Sequence, residues 1–331
     1  MDLVIIGATS NICKIRVFEN LNQIQGIIEK VTCVSRKNYS QTEWKDYLRS
    51  LSIKNLSLPD KVDFVQCFNQ LSDYQQKLGP LIHEDTVVYV CTPPNCYPDL
   101  IQFINHIDQG TLVLEKPLSL NYEQYLDLKP SISPRIQMID HFLYKVDVQR
   151  IITEFSGPLK SIHFRFLYPD DVENRLGYFD QTGFLIDMFQ SHFLSILYCL
   201  IKEELEMLKS AHIQIDRKQY DHYGGKNPEA ETYFLLTITY GQKVFMFEAG
   251  KSMSEQCKEI IVNGETHPIN DYQNEYSLFF SKLHSNNDLV LRQEIFWEIT
   301  EYVKEHFTKI DYYPKNEFSG TLEDESQILM F

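Results

Sequence analysis

The sequence predicts an α/β half followed by an α+β half. Residues 1–140 read as a doubly wound parallel sheet, and residues 141–331 as a mostly antiparallel sheet with helices on one face. Three observations predict this. The first part of the chain alternates short, near-continuous Val/Ile/Leu runs with longer amphipathic stretches, the grammar of parallel strands joined by crossover helices. From about residue 160 the apolar runs crowd together and several are joined by short turns. Finally, 331 residues with 43% apolar and 13% aromatic content supply enough material for two packed cores.

In chain order, Leu3–Ile6, Thr32–Ser35, Val62–Cys67, Val87–Cys91 and Leu112–Leu114 read as buried strands, because they are apolar without alternation. Ile12–Leu21 and Tyr97–Ile107 carry helical spacing between them. This is the Rossmann-like, dinucleotide-binding pattern. In the second half, Ser161–Tyr168, His212–Lys218, Thr232–Tyr240, Lys243–Glu248 and Glu259–Val262 read as neighbouring strands, with Tyr240-Gly241-Gln242-Lys243 as a hairpin turn. A long apolar helix is expected from Gly183 to about Leu200, and the polar tail from Asn316 to Ser326 reads as loose. The boundary near residue 140 rests on the change of pattern alone.

Charge and cysteine content exclude several classes. Subtracting 46 acidic from 31 basic residues gives a net charge of -15, which repels nucleic acid and anionic membrane surfaces. The seven cysteines (13, 33, 67, 91, 96, 199 and 257) form no C-x-x-C pair, so neither a disulfide framework nor a zinc site is expected. No stretch approaches the roughly 18 uninterrupted apolar residues of a membrane span, and the acidic start does not read as a signal peptide. A soluble protein of the cytoplasm is the expectation.

Several motifs carry chemistry. Gly7-Ala8-Thr9-Ser10-Asn11-Ile12-Cys13-Lys14 follows the first strand, where a glycine permits the sharp turn and lets a pyrophosphate approach the N–H groups of the next helix. Thr9, Ser10 or Asn11 is placed to cap that helix. By itself the motif is also compatible with an ordinary strand-to-helix turn. The second strand ends in Ser35-Arg36-Lys37, two cations where an NAD enzyme carries an acid, which favours NADP and leaves NAD open; a solvated basic pair is the plainer alternative.

Cys91-Thr92-Pro93-Pro94 makes a stiff loop suited to lie along the nicotinamide half of a dinucleotide, or a plain turn. Glu115-Lys116-Pro117 ends the next strand on the edge where open α/β sheets bind ligands. Asp140 reads as the cap of a helix beginning at His141, so His141 and Lys145, four apart, would share one positive face suited to phosphate, although a surface His and Lys is the commoner meaning of such a pair. Asp187, Gln190 and His192 lie inside an otherwise apolar helix, which must bury them or aim them into a cavity.

Taken in order, these blocks resemble the glucose-6-phosphate dehydrogenase family. G-A-T-S-N-I-C-K is similar to that family's cofactor turn G-A-S-G-D-L-A-K, and D-H-F-L-Y-K to its D-H-Y-L-G-K signature. V-E-x-R-x-G-Y-x-D, followed by D-x-x-Q-x-H, resembles the block that carries the catalytic histidine. The resemblance implies Gly7, Thr9, Ser10, Asn11, Ser35, Arg36, Thr92, Pro93 and Lys116 as cofactor-binding, with Arg36 at the 2′-phosphate. It implies His192 as general base, Asp140 as its carboxylate partner, and Lys116 between coenzyme and sugar. His141 and Lys145 would hold the 6-phosphate, Asp187 the sugar hydroxyls, and Lys251 of Ala249-Gly250-Lys251 the substrate.

The implied reaction is oxidation of the C1 hydroxyl of a hexose 6-phosphate to the lactone. His192 must be neutral to accept the proton, so activity is expected to fall toward acid. The expected partner is a small phosphorylated sugar, without a metal, in a homodimer or other homo-oligomer. Ser10, Asn11, Tyr144 and Gln256 depart from the family pattern, and the chain is shorter after His192. The glucose-fructose oxidoreductase and inositol dehydrogenase group shares E-K-P and a D…H helix, but its acid and histidine are four apart, whereas Asp187 and His192 are five apart, about 140° around an α-helix. A related oxidoreductase acting on a modified hexose phosphate or another carbon, and a non-catalytic NADP-binding sensor or scaffold, are the alternatives.

Overall fold

The structure is a computed structural model that describes residues 1–18, 26–51, 62–68, 70–172, 175–270, 278–279 and 289–320. The chain divides into two compact units. The first comprises Met1–Ser119, Glu123–Tyr144 and Asn274–Gln293, and the second Leu120–Tyr122, Lys145–Gln273 and Glu294–Phe331.

The first unit is built on six strands, β1 (Asp2–Ile6), β2 (Lys30–Ser35), β3 (Val62–Gln66), β4 (Thr86–Val90), β5 (Thr111–Glu115) and β6 (Ile136–Ile139), in the order β3-β2-β1-β4-β5-β6. All are parallel, with Ile6 opposite both Val34 and Val90. This is the doubly wound order whose chain reversal lies between β1 and β4, the place where such sheets open a crevice at their carboxyl ends. The strands expected from apolar runs are present, and the sheet adds β6. The strands bury their side chains against Trp44 of helix α1 (Gln41–Ser50), Phe18 and Phe64. Ser40 and Glu43 close a capping box at the start of α1. Helix α2 (Tyr97–Ile107) stops at Asp108, whose φ of 53° is left-handed.

The second unit contains a seven-stranded sheet in the order β12-β11-β7-β10-β9-β8-β13. Its strands are β7 (Ser161–Leu167), β8 (His212–Tyr220), β9 (Tyr233–Tyr240), β10 (Lys243–Gly250), β11 (Cys257–Val262), β12 (Glu265–Pro268) and β13 (Asp311–Tyr313). The β9–β10 hairpin turns at Gly241, as its sequence predicts. Two pairs, β7 with β10 and β8 with β13, are parallel, so the sheet is mixed with antiparallel pairs in the majority. On its inner side, Phe164 and Phe247 lie face to face at 5.4 Å and 5°, and Phe189 and Phe193 pack onto them at 4.9 Å and 5.0 Å. Each buried ring contributes about 2 kcal/mol of apolar transfer, so these contacts fix the helix that carries residues 189 and 193 against the sheet.

That helix differs most from expectation. It spans Leu176–Ile201 and is long and apolar enough to pass for a membrane span by length and composition, although Asp180, Asp187, Gln190 and His192 interrupt its apolar run, and most of that window is buried in the protein. It breaks at Gly183 (φ 61°, ψ -174°), separating Leu176–Phe184 from Leu185–Phe193. The second piece is π-wound, with i→i+5 bonding, before α-helix resumes over Leu194–Ile201. The start of the tail is also ordered: Asn316 N–H donates to Ser252 O at 2.8 Å, Ser254 N–H to Phe318 O at 2.9 Å, and the Phe318 ring packs on Tyr233. The rest of the expected loose tail lies outside the described residues.

Candidate active site

In the first unit, every predicted cofactor residue lies at or just past the carboxyl end of a strand. Gly7 follows β1, with φ at 82°. A Cβ there would lie 2.8 Å from Cys91 O and 2.9 Å from the Thr92 side chain, so only glycine lets this turn approach the β4 loop. The Gly7 and Ala8 N–H groups both donate to Val34 O at 3.0 Å, which pins the turn to β2. Of the three candidate caps, Ser10 is the one that acts: its Oγ accepts from Cys13 N–H at 3.2 Å, while Asn11 is exposed.

At the end of β2, Ser35 Oγ lies 3.2 Å from Thr9 Oγ1 and accepts from Lys37 N–H at 3.2 Å, with Arg36 exposed beside it. Past β4, Pro93 leads into a short 3-10 turn, Pro94–Cys96, and Thr92 Oγ1 is buried with no hydrogen-bond partner among the described residues. A glycine cradle at the chain reversal and an orphaned hydroxyl across from it fit a dinucleotide: the turn offers N–H groups to a pyrophosphate, and Thr92 lacks an acceptor or donor that such a ligand supplies.

Past β5 and β6 the edge becomes charged. Lys116 Nζ lies 3.3 Å from Asp140 Oδ2, with side chains 2% and 0% exposed. Asp140 Oδ1 also accepts from Phe142 N–H at 3.0 Å. A pair this buried costs several kcal/mol per ion in desolvation, which its Coulomb attraction only roughly offsets, so sheet stability alone does not account for it. Glu115, just before, accepts from the Tyr89 hydroxyl, and the Tyr97 hydroxyl donates to Glu115 O at 2.9 Å. Burial pushes the Tyr97 hydroxyl well above its ordinary pKa, so it stays a donor.

The expected helix from His141 to Lys145 does not form. His141–Tyr144 is a 3-10 turn, and Lys145 is the extended N-cap (φ -66°, ψ 134°) of helix α3 (Val146–Glu154). The Asp140 side chain bonds Phe142 N–H, and its carbonyl bonds Leu143 N–H at 3.0 Å. The carbonyl contact closes an i→i+3 turn where an α-helix would bond the next N–H along. His141 and Lys145 therefore do not share one helical face.

In the second unit, Lys145 is 2% exposed, with its Nζ 3.4 Å from Asn270 O. His192 is 9% exposed, and Gln190 and Ser191 beside it are buried. The separation of about 140° expected for Asp187 and His192 assumes α geometry. In the π-wound Leu185–Phe193 segment, residues five apart are instead related by one hydrogen-bonded turn. Asp187 Oδ1 accepts from the Tyr178 hydroxyl at 3.0 Å and from Arg175 at 3.4 Å, and the Arg175 guanidinium stacks over the Tyr178 ring at 4.6 Å. Glu173 and Asn174 of the same motif lie outside the described residues. Lys251 is held by Asp170 at 3.1 Å and lies over the Tyr168 ring at 4.2 Å.

Sequence reading singled out no role for Gly183, where the winding resets, or for Glu231, whose carboxylate accepts from Leu185 N–H at 2.8 Å. A glycine ahead of an apolar run was a visible signal for the first. Nothing local marks the second, 46 residues away.

Comparison with known proteins agrees with the architecture. Residues 3–150 match the family model described as "Glucose-6-phosphate dehydrogenase, NAD binding domain", and residues 159–220 the one described as "Glucose-6-phosphate dehydrogenase, C-terminal domain". The glucose-6-phosphate 1-dehydrogenase of Encephalitozoon cuniculi is 26% identical over 296 residues, covering 79% of this chain and 67% of that protein. The solved glucose-6-phosphate 1-dehydrogenase of Mycobacterium avium superposes with a TM-score of 0.76 at 15% identity, over 97% of this chain and 95% of the other. A glucose-6-phosphate dehydrogenase solved with glucose-6-phosphate superposes at 0.72 and 16% identity, over 96% and 94%. The chain spans between a third and two thirds of the length of the first curated relatives it matches. With both domain models matched in order over more than half of its length, the chain belongs to the glucose-6-phosphate dehydrogenase family.

Proposed function

We propose that this protein is an NADP-dependent hexose-6-phosphate dehydrogenase that oxidises the C1 hydroxyl of glucose 6-phosphate, or a close analogue, to the lactone. The observation that carries the reading is the buried Lys116–Asp140 pair at the ligand edge of the parallel sheet, 3.3 Å apart. The relatives' names supply the substrate class. Ser35, Arg36 and Lys37 at the β2 end, with no acid among them, support NADP as the dinucleotide.

When bound, the nicotinamide accepts the C1 hydride. Gly7, Thr9, Ser10, Asn11, Thr92 and Pro93 would line the dinucleotide, and Lys116 would hold the sugar beside it. His192 takes the C1 hydroxyl proton on its ring nitrogen, and Asp140 stabilises the imidazolium that forms. Asp187, oriented by Tyr178 and Arg175, accepts from sugar hydroxyls. His141, Lys145 and Lys251 bind the phosphorylated substrate, the two lysines as fixed point charges.

The test supplies glucose 6-phosphate carrying deuterium at C1, with NADP, and follows nicotinamide absorbance and the fate of the label. Absorbance is expected to rise and the deuterium to appear in the reduced nicotinamide. Absence of reduction with every hexose and hexosamine phosphate, using either NADP or NAD, would overturn the proposal.

A further inference from the structure

Glu231 lies just before β9 and is 4% exposed. It serves two consecutive N–H groups of the broken helix: its backbone oxygen accepts from Phe184 N–H at 3.0 Å, and its Oε1 from Leu185 N–H at 2.8 Å. These N–H groups stand at the start of the π-wound Leu185–Phe193 segment, where a helix has no internal acceptor to offer and where a carboxylate also complements the dipole.

The break itself is built around this carboxylate. Gly183 adopts φ 61° and ψ -174°, a conformation open essentially to glycine, and a Cβ on it would collide with the Glu231 carboxylate. The other carboxylate oxygen faces Arg217 Nε at 3.6 Å. Arg217 is 3% exposed, donates to Glu229 O at 2.9 Å and stacks on Phe307 at 3.8 Å. On the far side of the break, Asp180 accepts from Lys226 N–H at 3.0 Å, Asn227 N–H at 3.2 Å and the Tyr223 hydroxyl at 3.2 Å. The segment from Tyr223 to Glu231 is thus bound to the helix before and after the break. Burial pushes the Glu231 carboxyl up and Arg217 opposes that shift.

We propose that Glu231 is a positioning residue for the reaction, setting the register of the turn that carries Asp187 and His192 through the Leu185 amide; the proposal rests on the role given to His192 above. The break resets the helix from α to i→i+5 winding, and this winding decides the directions in which residues 187 and 192 project. Strain of this kind persists only where the surroundings over-determine it, and Glu231 is the group that does so here.

Three variants test it: Glu231→Gln, which keeps an acceptor for Leu185 N–H; Glu231→Leu, which removes it; and Gly183→Ala, which keeps both charged residues but drives a Cβ into the Glu231 carboxylate. Two readouts are taken on each, hydrogen–deuterium exchange over residues 184–193 without substrate, and kcat and KM for glucose 6-phosphate per folded molecule, with folded protein measured by near-ultraviolet circular dichroism. Exchange at Leu185 is expected to quicken at least about tenfold in Glu231→Leu and Gly183→Ala and to stay within about threefold of wild type in Glu231→Gln.

The kcat of folded protein is expected to fall roughly a hundredfold in Glu231→Leu and Gly183→Ala and to be largely retained in Glu231→Gln, with dinucleotide affinity unchanged in all. Wild-type exchange and kcat in folded Glu231→Leu and Gly183→Ala, or losses that track only the folded fraction, would overturn the proposal. Should wild type reduce no dinucleotide with any hexose phosphate, the dehydrogenase reading falls, and the exchange data alone decide whether Glu231 holds the turn.

Discussion

In the parallel sheet of the first unit, β1, β2, β4 and β5 are buried beyond at most their first residue, and the charged pair Lys116–Asp140 stands just past the ends of β5 and β6. In the mixed sheet of the second unit, charge lies within the strands. Arg165 Nε donates to Glu248 Oε2 at 2.9 Å, the Tyr233 hydroxyl donates to Glu248 Oε1 at 2.9 Å, and His163 lies two residues before Arg165. A sheet covered on both faces has room for polar side chains only at its ends, whereas one with a half-solvated face can house them along its length. The same residue types therefore signal a site in the first sheet and a packing network in the second. Asp187 and His192, the polar residues proposed for chemistry in the second unit, stand on its broken helix instead.

Acid is the largest lever on this comparison. Burial, with Arg165 adding to it, pushes the His163 imidazole down from 6.5 to about 4, outweighing Glu248 Oε2 at 3.9 Å. The unfolded chain then binds the proton that the native chain refuses, so this histidine's contribution is complete above about pH 6.5 and is lost as pH falls toward about 4. The loss amounts to about 3 kcal/mol at the acid limit. Urea unfolding at a series of pH values is expected to show this slope in wild type and to lose it in His163→Phe; an unchanged slope would remove the buried histidine from the second sheet's account.

Lys145→Ala sharpens the comparison from the side of the substrate, with a smaller effect. Loss of a charge-assisted contact to phosphate is worth about 2 kcal/mol, so KM for glucose 6-phosphate is expected to rise roughly thirtyfold. Dinucleotide affinity, assigned to the first unit, should not move. Steady-state kinetics with phosphorylated and free sugar decide it, and an equal rise for both would place the phosphate elsewhere.

The parallel sheet was legible because β1, β2, β4 and β5 are largely apolar runs, while β3, with Asp63 and Gln66, is buried only in alternation. β6 escaped notice: Ile136–Ile139 is short and includes Gln137, so no buried run announces it. The β9–β10 hairpin of the second sheet was legible from its turn, but the β7–β10 and β8–β13 pairs join segments distant in sequence, and no local pattern sets their direction. The turn after Asp140 is not legible in the spacing, because the Asp140 carbonyl bonds Leu143 N–H three residues on and Lys145 is extended. The winding of Leu185–Phe193 depends on Gly183 and on a carboxylate 46 residues away, and amphipathic spacing carries no trace of either.

The division of labour, dinucleotide on the first unit and acid–base chemistry on the second unit's helix, is tested most directly by His192→Asn. Loss of a general base costs about a thousandfold in kcat. The account predicts that loss together with NADP affinity within a factor of about two of wild type, measured by steady-state kinetics and isothermal titration on the same protein. A variant that keeps most of the wild-type turnover would contradict it.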